Sequence, residues 1–376
     1  MNSTDFIKLK LKKDIIDAIS DDQNVAIPID IRQKLDSGVI SIRDLENAGI
    51  PDDIIPHIFS YSEPNLLSIQ DKTPDKIIES DILEFYFWGL ASSGKTCALA
   101  SILHTIQSGG IAGVGFESAD NSYNDAYLQS LKDEIIKSNG IAYFPNLTPS
   151  GIIKYMSFKL IQQIEKKNKK FWSNEIITLK EIQKRKIAFI DLSGELIRII
   201  VDNDVNKVNT HIDDIKTLKN LLNNGRNRKI HFFFIDYDRD NDSLNQIAYL
   251  ERMIKILNKE KSFVKTEFIY IVITKSDMFR KNGNIIPTNQ RRDFAKTLFN
   301  DKYHNLYLNL LAVCTDHQNG CINGDKNLQV ELDNYILDFS MGDVYFKRIC
   351  KFNPDSAREI IKILIHKVNT TDEIYE

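Results

Sequence analysis

Gly89, Gly94, Lys95 and Thr96 stand in the order G-x-x-x-x-G-K-[ST] within FYFWGLASSGKTCALASIL, between an apolar run and a stretch of helical period. Glycines at these positions let a backbone wrap close to phosphate oxygens, and the open amides at a helix start face the anion. Lys95 then reaches the outer phosphates, and the Thr96 hydroxyl can hold Mg2+. Ser92 and Ser93 add loop amides. Cys97, next to Thr96, belongs to the same contact set, with its side chain packing under the helix. The spacing predicts a phosphate cradle.

Three further strand-end groups follow in chain order. IAFIDLSGE places Asp191 at the end of an apolar run, with Gly194 three residues on and Glu195 directly after it. IHFFFIDYD offers a competing carboxylate, Asp236, which an ATP-using site would take as its metal aspartate; Asp191 is preferred because only it carries the following glycine. FIYIVITKSD ends in Thr274, Lys275 and Asp277. A carboxylate there can accept both the ring N–H and the exocyclic amine of guanine, a donor pair that adenine lacks, while the aliphatic stem of Lys275 lies along the base.

TKSD and DLSG resemble the guanine motif [NT]KxD and the DxxG element of Ras-like and translation-factor-like P-loop GTPases. The resemblance implies that Asp191 holds the Mg2+ shell and that the Gly194 amide senses the γ-phosphate. It also implies a first-switch threonine on Mg2+, for which Thr148 in GIAYFPNLTPSG has the right place, and a base-contacting pair after the last strand, for which Cys314 and Thr315 in AVCTD are the positional choice. Glu195 stands where many Ras-like proteins carry a water-orienting glutamine; the other role open to it is an ordinary acidic helix start. The catalytic set so implied is Lys95, Thr148, Gly194 and Glu195, with Thr96, Thr148 and Asp191 on the metal. An arginine from a partner, or a second copy of the chain across a dimer, would supply the charge that Glu195 cannot. The long segment before the P..T switch, DLSGE, and SMGDVYFKRICKFNPDSAREIIKIL are similar to bacterial double-GTPase proteins linked with conflict and signalling systems. The general resemblance spans about 80 to 370; the narrower one rests on short strings and leaves the first 60 residues unmatched.

Strands alternating with helices must position these groups. From about 81 the chain alternates in that way, the pattern of an α/β layer fold with a mostly parallel sheet. The strand candidates are ILEFYFWG, KIAFIDLSGE, KIHFFFIDYD, FIYIVITKSD and NLLAVCTD. Helical periods lie near 95–107, 122–137, 211–223, 243–259, 290–300 and 354–367, with a helical insertion expected near 108–140. GIIKYMSFKLIQQIEKKNKKFW predicts one antiparallel strand of a hairpin, with EKKNKK as its solvated turn. The expected fold is thus a three-layer P-loop NTPase.

Residues 1–62 read as a small all-α docking module, with a capping-box-like start at Ser41 and Asp44, Gly49 past a helix end and Pro51 in the next first turn. An apolar face through Ile40, Leu45 and Ile54 would meet a protein partner or the main domain. Residues 63–80, with Pro64 and Pro74, form a linker, and 81–370 the nucleotide domain.

Composition narrows the function. A 376-residue chain, 42 % hydrophobic and 27 % charged with formal net charge −3, has no global field to draw nucleic acid or anionic lipid, so neither partner is expected. Cys97, Cys314, Cys321 and Cys350 lack zinc or disulfide spacing, His104, His211 and His231 are scattered, and no apolar run approaches a membrane span. The expectation is a cytoplasmic, Mg2+-dependent switch that hydrolyses GTP to GDP and phosphate. A GTP-binding scaffold with negligible hydrolysis, or a P-loop ATPase or kinase, is the alternative.

Overall fold

Leu83–Trp88 forms β1, and every residue in it is buried. A strand covered on both faces belongs in the middle of a parallel sheet. In the computed structural model the described residues are 82–118, 136–138, 141–145, 153–169, 176–202, 208, 210–237, 246–258, 265–315, 336–346 and 349–369. The module over 1–62, the linker, Thr148 and Cys321 lie outside them.

After β1 come α1 (Lys95–Gln107), β2 (Val114–Ser118), β3 (Ile136–Ser138), β4 (Ile141–Tyr143), β5 (Ile153–Lys169) and β6 (Ile176–Leu192). The middle of the chain gives α2 (Gly194–Asp202), α3 (Ile212–Asn223), β7 (Arg228–Asp236), α4 (Gln246–Asn258) and β8 (Thr266–Thr274). A 3₁₀ turn (Ser276–Met278) leads to β9 (Arg280–Lys281), β10 (Asn284–Ile285), α5 (Thr288–Leu298) and α6 (His304–Thr315). The chain closes with β11 (Ile336–Phe339), β12 (Gly342–Phe346), β13 (Ile349–Phe352) and α7 (Asp355–Asn369).

The main sheet has seven strands among the described residues, in the order β11-β8-β7-β1-β6-β5-β2. Its antiparallel member is β5, which pairs with β6 on one side and β2 on the other. The crossover through α1 moves one way across the sheet, from β1 to β2, and the crossovers from β6 through β7 and β8 to β11 move the other way. Right-handed connections then put α1 on one face and the later crossover helices on the opposite face. Packing agrees: α1 meets α7, whereas α4 meets both α2 and α6. The core between them is aromatic, with Phe85, Phe87, Phe189, Phe232 and Phe234 in ring contact across three strands.

A second sheet, in the order β12-β13-β4-β3, joins the segment ahead of Thr148 to the segment after β11. No described helix is long and apolar enough to cross a membrane.

Three expectations are corrected here: EKKNKK, expected as a solvated turn, runs within β5 through Lys169, paired with β6. NLLAVCTD is helix, not strand, through Thr315: Leu306, Tyr307 and Leu310 are buried at the 3–4 spacing of one helix face, while Leu308 and Asn309 are exposed. The insertion near 108–140, expected to be helical, carries strands where it is described. Val114–Ser118 pairs antiparallel with β5 and Ile136–Ser138 with β4, tertiary partners that a local period does not reveal.

Candidate functional site

The loop after β1 turns on itself, with the Ser93 amide donating to the Leu90 carbonyl at 3.2 Å and Ser92 held at φ 61°. Gly94 caps α1 at φ 88°, in the left-handed region that favours glycine. A Cβ there would stand 3.2 Å from Thr274 Cγ2, so the glycine also allows the end of β8 to approach the loop. The first turn of α1 has no acidic residue, and its N-cap makes no side-chain hydrogen bond. Its amides and the helix dipole thus favour an anion.

Lys95 is 5 % exposed, and its ammonium bonds the carbonyls of Gly89 at 2.7 Å and Leu90 at 2.9 Å. The cation crosses the loop it is expected to serve and holds it closed. Thr96 Oγ1 lies 3.4 Å from Asp191 Oδ2, joining α1 to the end of β6. Asp191 is fully buried and Cys97 half-buried against the core.

Gly194 opens α2 directly against the loop, where an added Cβ would overlap the Ala91 amide and the Leu90 carbonyl carbon. The DxxG segment and the cradle are therefore in backbone contact. Glu195 sits in the first turn of α2, its amide donating to Ser193 Oγ at 3.2 Å and its carboxylate 3.8 Å from Arg198.

On the other side of the loop, Thr274 Oγ1 shares its proton between the carbonyls of Ser93 at 2.9 Å and Ile235 at 3.1 Å. Lys275 follows in left-handed backbone, φ 57°, and its ammonium pairs with Asp236 Oδ2 at 3.0 Å. Asp277 lies in the 3₁₀ turn, half-buried. The two candidate metal carboxylates thus divide: Asp191 meets Thr96, and Asp236 meets Lys275.

The loop after the last strand of the main sheet is Ser340–Met341, not Cys314–Thr315, which close α6. β11 pairs with β8 so that Phe339 lies opposite Thr274, which sets Ser340 beside the Lys275–Asp277 turn. Ser340 Oγ donates to the Gly342 carbonyl at 3.2 Å and accepts from its amide at 3.0 Å. Burial raises the Asp338 carboxyl above its ordinary range, against the lowering effect of Arg292.

Sequence reasoning missed Ser340, the Asp236–Lys275 pair and Gln246, whose side chain clamps the Asp236 backbone. A serine just past YILDF was the available signal for the first; the others need the register of β7 against β8.

No protein-family model and no curated protein sequence matches this chain.

The residues present suit a hard cation. A hydroxyl and a carboxylate oxygen meet where phosphate oxygens would arrive, and Mg2+ is ordinarily bound by one or two such groups plus phosphate and water. The described residues contain no cluster of three or more His, Cys, Asp or Glu side chains that could hold a metal, and a phosphate-borne Mg2+ needs none. Thr96 and Asp191 would hold it, with Thr148 outside the described residues.

Proposed function

We propose that this chain binds GTP with Mg2+, hydrolyses it to GDP and phosphate, and acts as a molecular switch of the P-loop GTPase kind. One observation carries this: two strand ends converge on one loop from opposite sides. Asp191 of β6 meets Thr96, and Thr274 of β8 holds the Ser93 carbonyl. A ligand with its anionic tail at the start of α1 would then have its other end near Lys275, Asp277 and Ser340. The parallel sheet order with one antiparallel strand supports the same assignment.

Water would attack the γ-phosphorus in line as the β–γ bridging oxygen departs, giving GDP and phosphate. Positioning and charge stabilisation carry most of this chemistry. Lys95 and the Gly94 amide would face the developing negative charge, Asp277 would read the guanine edge, and Gly194 would sense the γ-phosphate through its contact with the loop. Bound Mg2+ would neutralise the β- and γ-phosphate oxygens. The module over 1–62 would dock a protein partner, and that partner or a second copy of the chain would raise the rate. A cytoplasmic setting belongs to the same proposal.

Lys95→Ala tests the cradle. It removes a phosphate-directed cation and also the tie between the Gly89 and Leu90 carbonyls, so tight GTP binding should vanish while circular dichroism is retained. Unchanged affinity would refute the assignment.

A binding scaffold with negligible hydrolysis is favoured by one observation. Glu195 is engaged within the first turn of α2, beside Arg198, as a helix-start acid would be. Single-turnover phosphate release separates the two functions.

A further inference from the structure

Asp236 is fully buried at the end of β7, and the proposed GTP chemistry does not use it. Its backbone is fixed from both sides by one amide: Gln246 Oε1 accepts from the Asp236 N–H at 3.0 Å, and Gln246 Nε2 donates to its carbonyl at 2.7 Å. Gln246 is itself 3 % exposed. The backbone that carries the carboxylate is therefore held in place, and the carboxylate itself is buried. Lys275, about a third exposed, turns back from left-handed backbone to meet it at 3.0 Å.

Building on the guanine-nucleotide proposal, we infer that Asp236 is a specificity-determining positioning residue that acts through Lys275. A lysine stem has several free rotors, and ordering them when a base arrives costs affinity. Anchoring the ammonium to a buried carboxylate on a clamped backbone orders the stem in advance, so that its methylenes form a ready surface for one face of the purine. The same pairing neutralises the Lys275 charge locally, leaving Lys95 to serve the phosphates. Base recognition and phosphate recognition are thereby separated between two lysines.

The test is a double-mutant cycle read with two ligands, GTP and inorganic tripolyphosphate, each titrated with Mg2+ into the full chain. Asp236→Asn keeps the shape and removes the anchor; Lys275→Met keeps the stem and removes the ammonium. Each single change should weaken GTP about tenfold, the scale of one immobilised side chain, and leave tripolyphosphate within about twofold. The double variant should lose no more than either single. Equal weakening of both ligands, unchanged GTP affinity or additive losses would overturn the inference. If Asp236→Asn does not fold, Lys275→Met alone decides it by the same two-ligand comparison. A parent protein that binds GTP no better than tripolyphosphate would instead refute guanine recognition, and this inference with it.

Discussion

The Thr274 hydroxyl donates to the Ser93 carbonyl at 2.9 Å, across 181 residues of sequence. This contact ties the end of β8 to the loop that opens α1, and a second carbonyl, that of Ile235, lies within reach of the same proton. The end of β8 and the loop before α1 are thus one mechanical unit.

Thr274→Val removes the hydroxyl with little change of shape and leaves two carbonyls short of a donor. Stability should fall by about 1–2 kcal/mol, the cost of a broken buried hydrogen bond. GTP affinity should fall with it, because the loop loses its support. Denaturant unfolding and a nucleotide titration of the same variant check both.

Gly194→Ala should damage the cradle from a distance in sequence. Its new methyl group would overlap backbone atoms of Leu90 and Ala91, which cannot rotate away. Overpacking of this kind costs about 1–3 kcal/mol and should also disturb GTP binding. Gly115→Ala, whose nearest neighbour would be Ile161 Cβ at 4.0 Å, serves as the tolerated control. Comparable losses in both would remove the special role of the Gly194 contact.

His231 predicts a pH dependence of stability. Trp88 Nε1 donates to its Nδ1 at 2.9 Å, so Nε2 carries the proton toward Thr266 Oγ1, also at 2.9 Å. Burial, with the Lys229 ammonium adding to it, holds the imidazole well below its ordinary value of 6.5. The folded ring stays neutral where the unfolded one takes a proton, so this contribution is full above pH 6.5 and is lost as pH falls below it. Glu84 acts in the opposite sense: burial raises its carboxyl above 4.5, so its effect declines as pH rises from that value. His231→Gln, which can still accept from Trp88 and donate to Thr266, should flatten the dependence between about pH 7.5 and 5.5 in denaturant melts. Equal slopes in parent and variant would contradict this.

Glu195 separates hydrolysis from binding. If it positions water, Glu195→Ala should slow single-turnover phosphate release at unchanged GTP affinity, and Glu195→Gln should match or exceed the parent, because an amide can also donate. Parental rates in both variants would leave Glu195 as the first-turn acid of α2, paired with Arg198.

The strand–turn–helix of the glycine loop was legible because it is contiguous: Gly89 to Thr96 carry strand end, turn and helix start in one string. TKSD and DLSG were legible for the same reason, each closing an apolar strand. What lay hidden depends on partners distant in sequence. The apolar run of Leu310 to Val313 masked the stripe of Leu306, Tyr307 and Leu310 that makes α6 a helix, and so misplaced the last strand. β11 is four residues long with Asp338 inside it, too short and too polar to signal a strand without β8 beside it. The Asp236–Lys275 pair exists because β7 and β8 align Asp236 with Thr274, a register no local pattern carries.

Guanine recognition by Asp277 is the central claim, and competition binding tests it most directly. GTP, ATP and xanthosine triphosphate should be titrated with Mg2+ against the parent protein and against Asp277→Asn. The account predicts that GTP displaces bound nucleotide far more effectively than ATP from the parent. In Asp277→Asn the donor and acceptor pattern at the base edge is reversed, so GTP should weaken while xanthosine triphosphate strengthens. ATP competing equally with GTP for the parent, or an unchanged preference in Asp277→Asn, would contradict it.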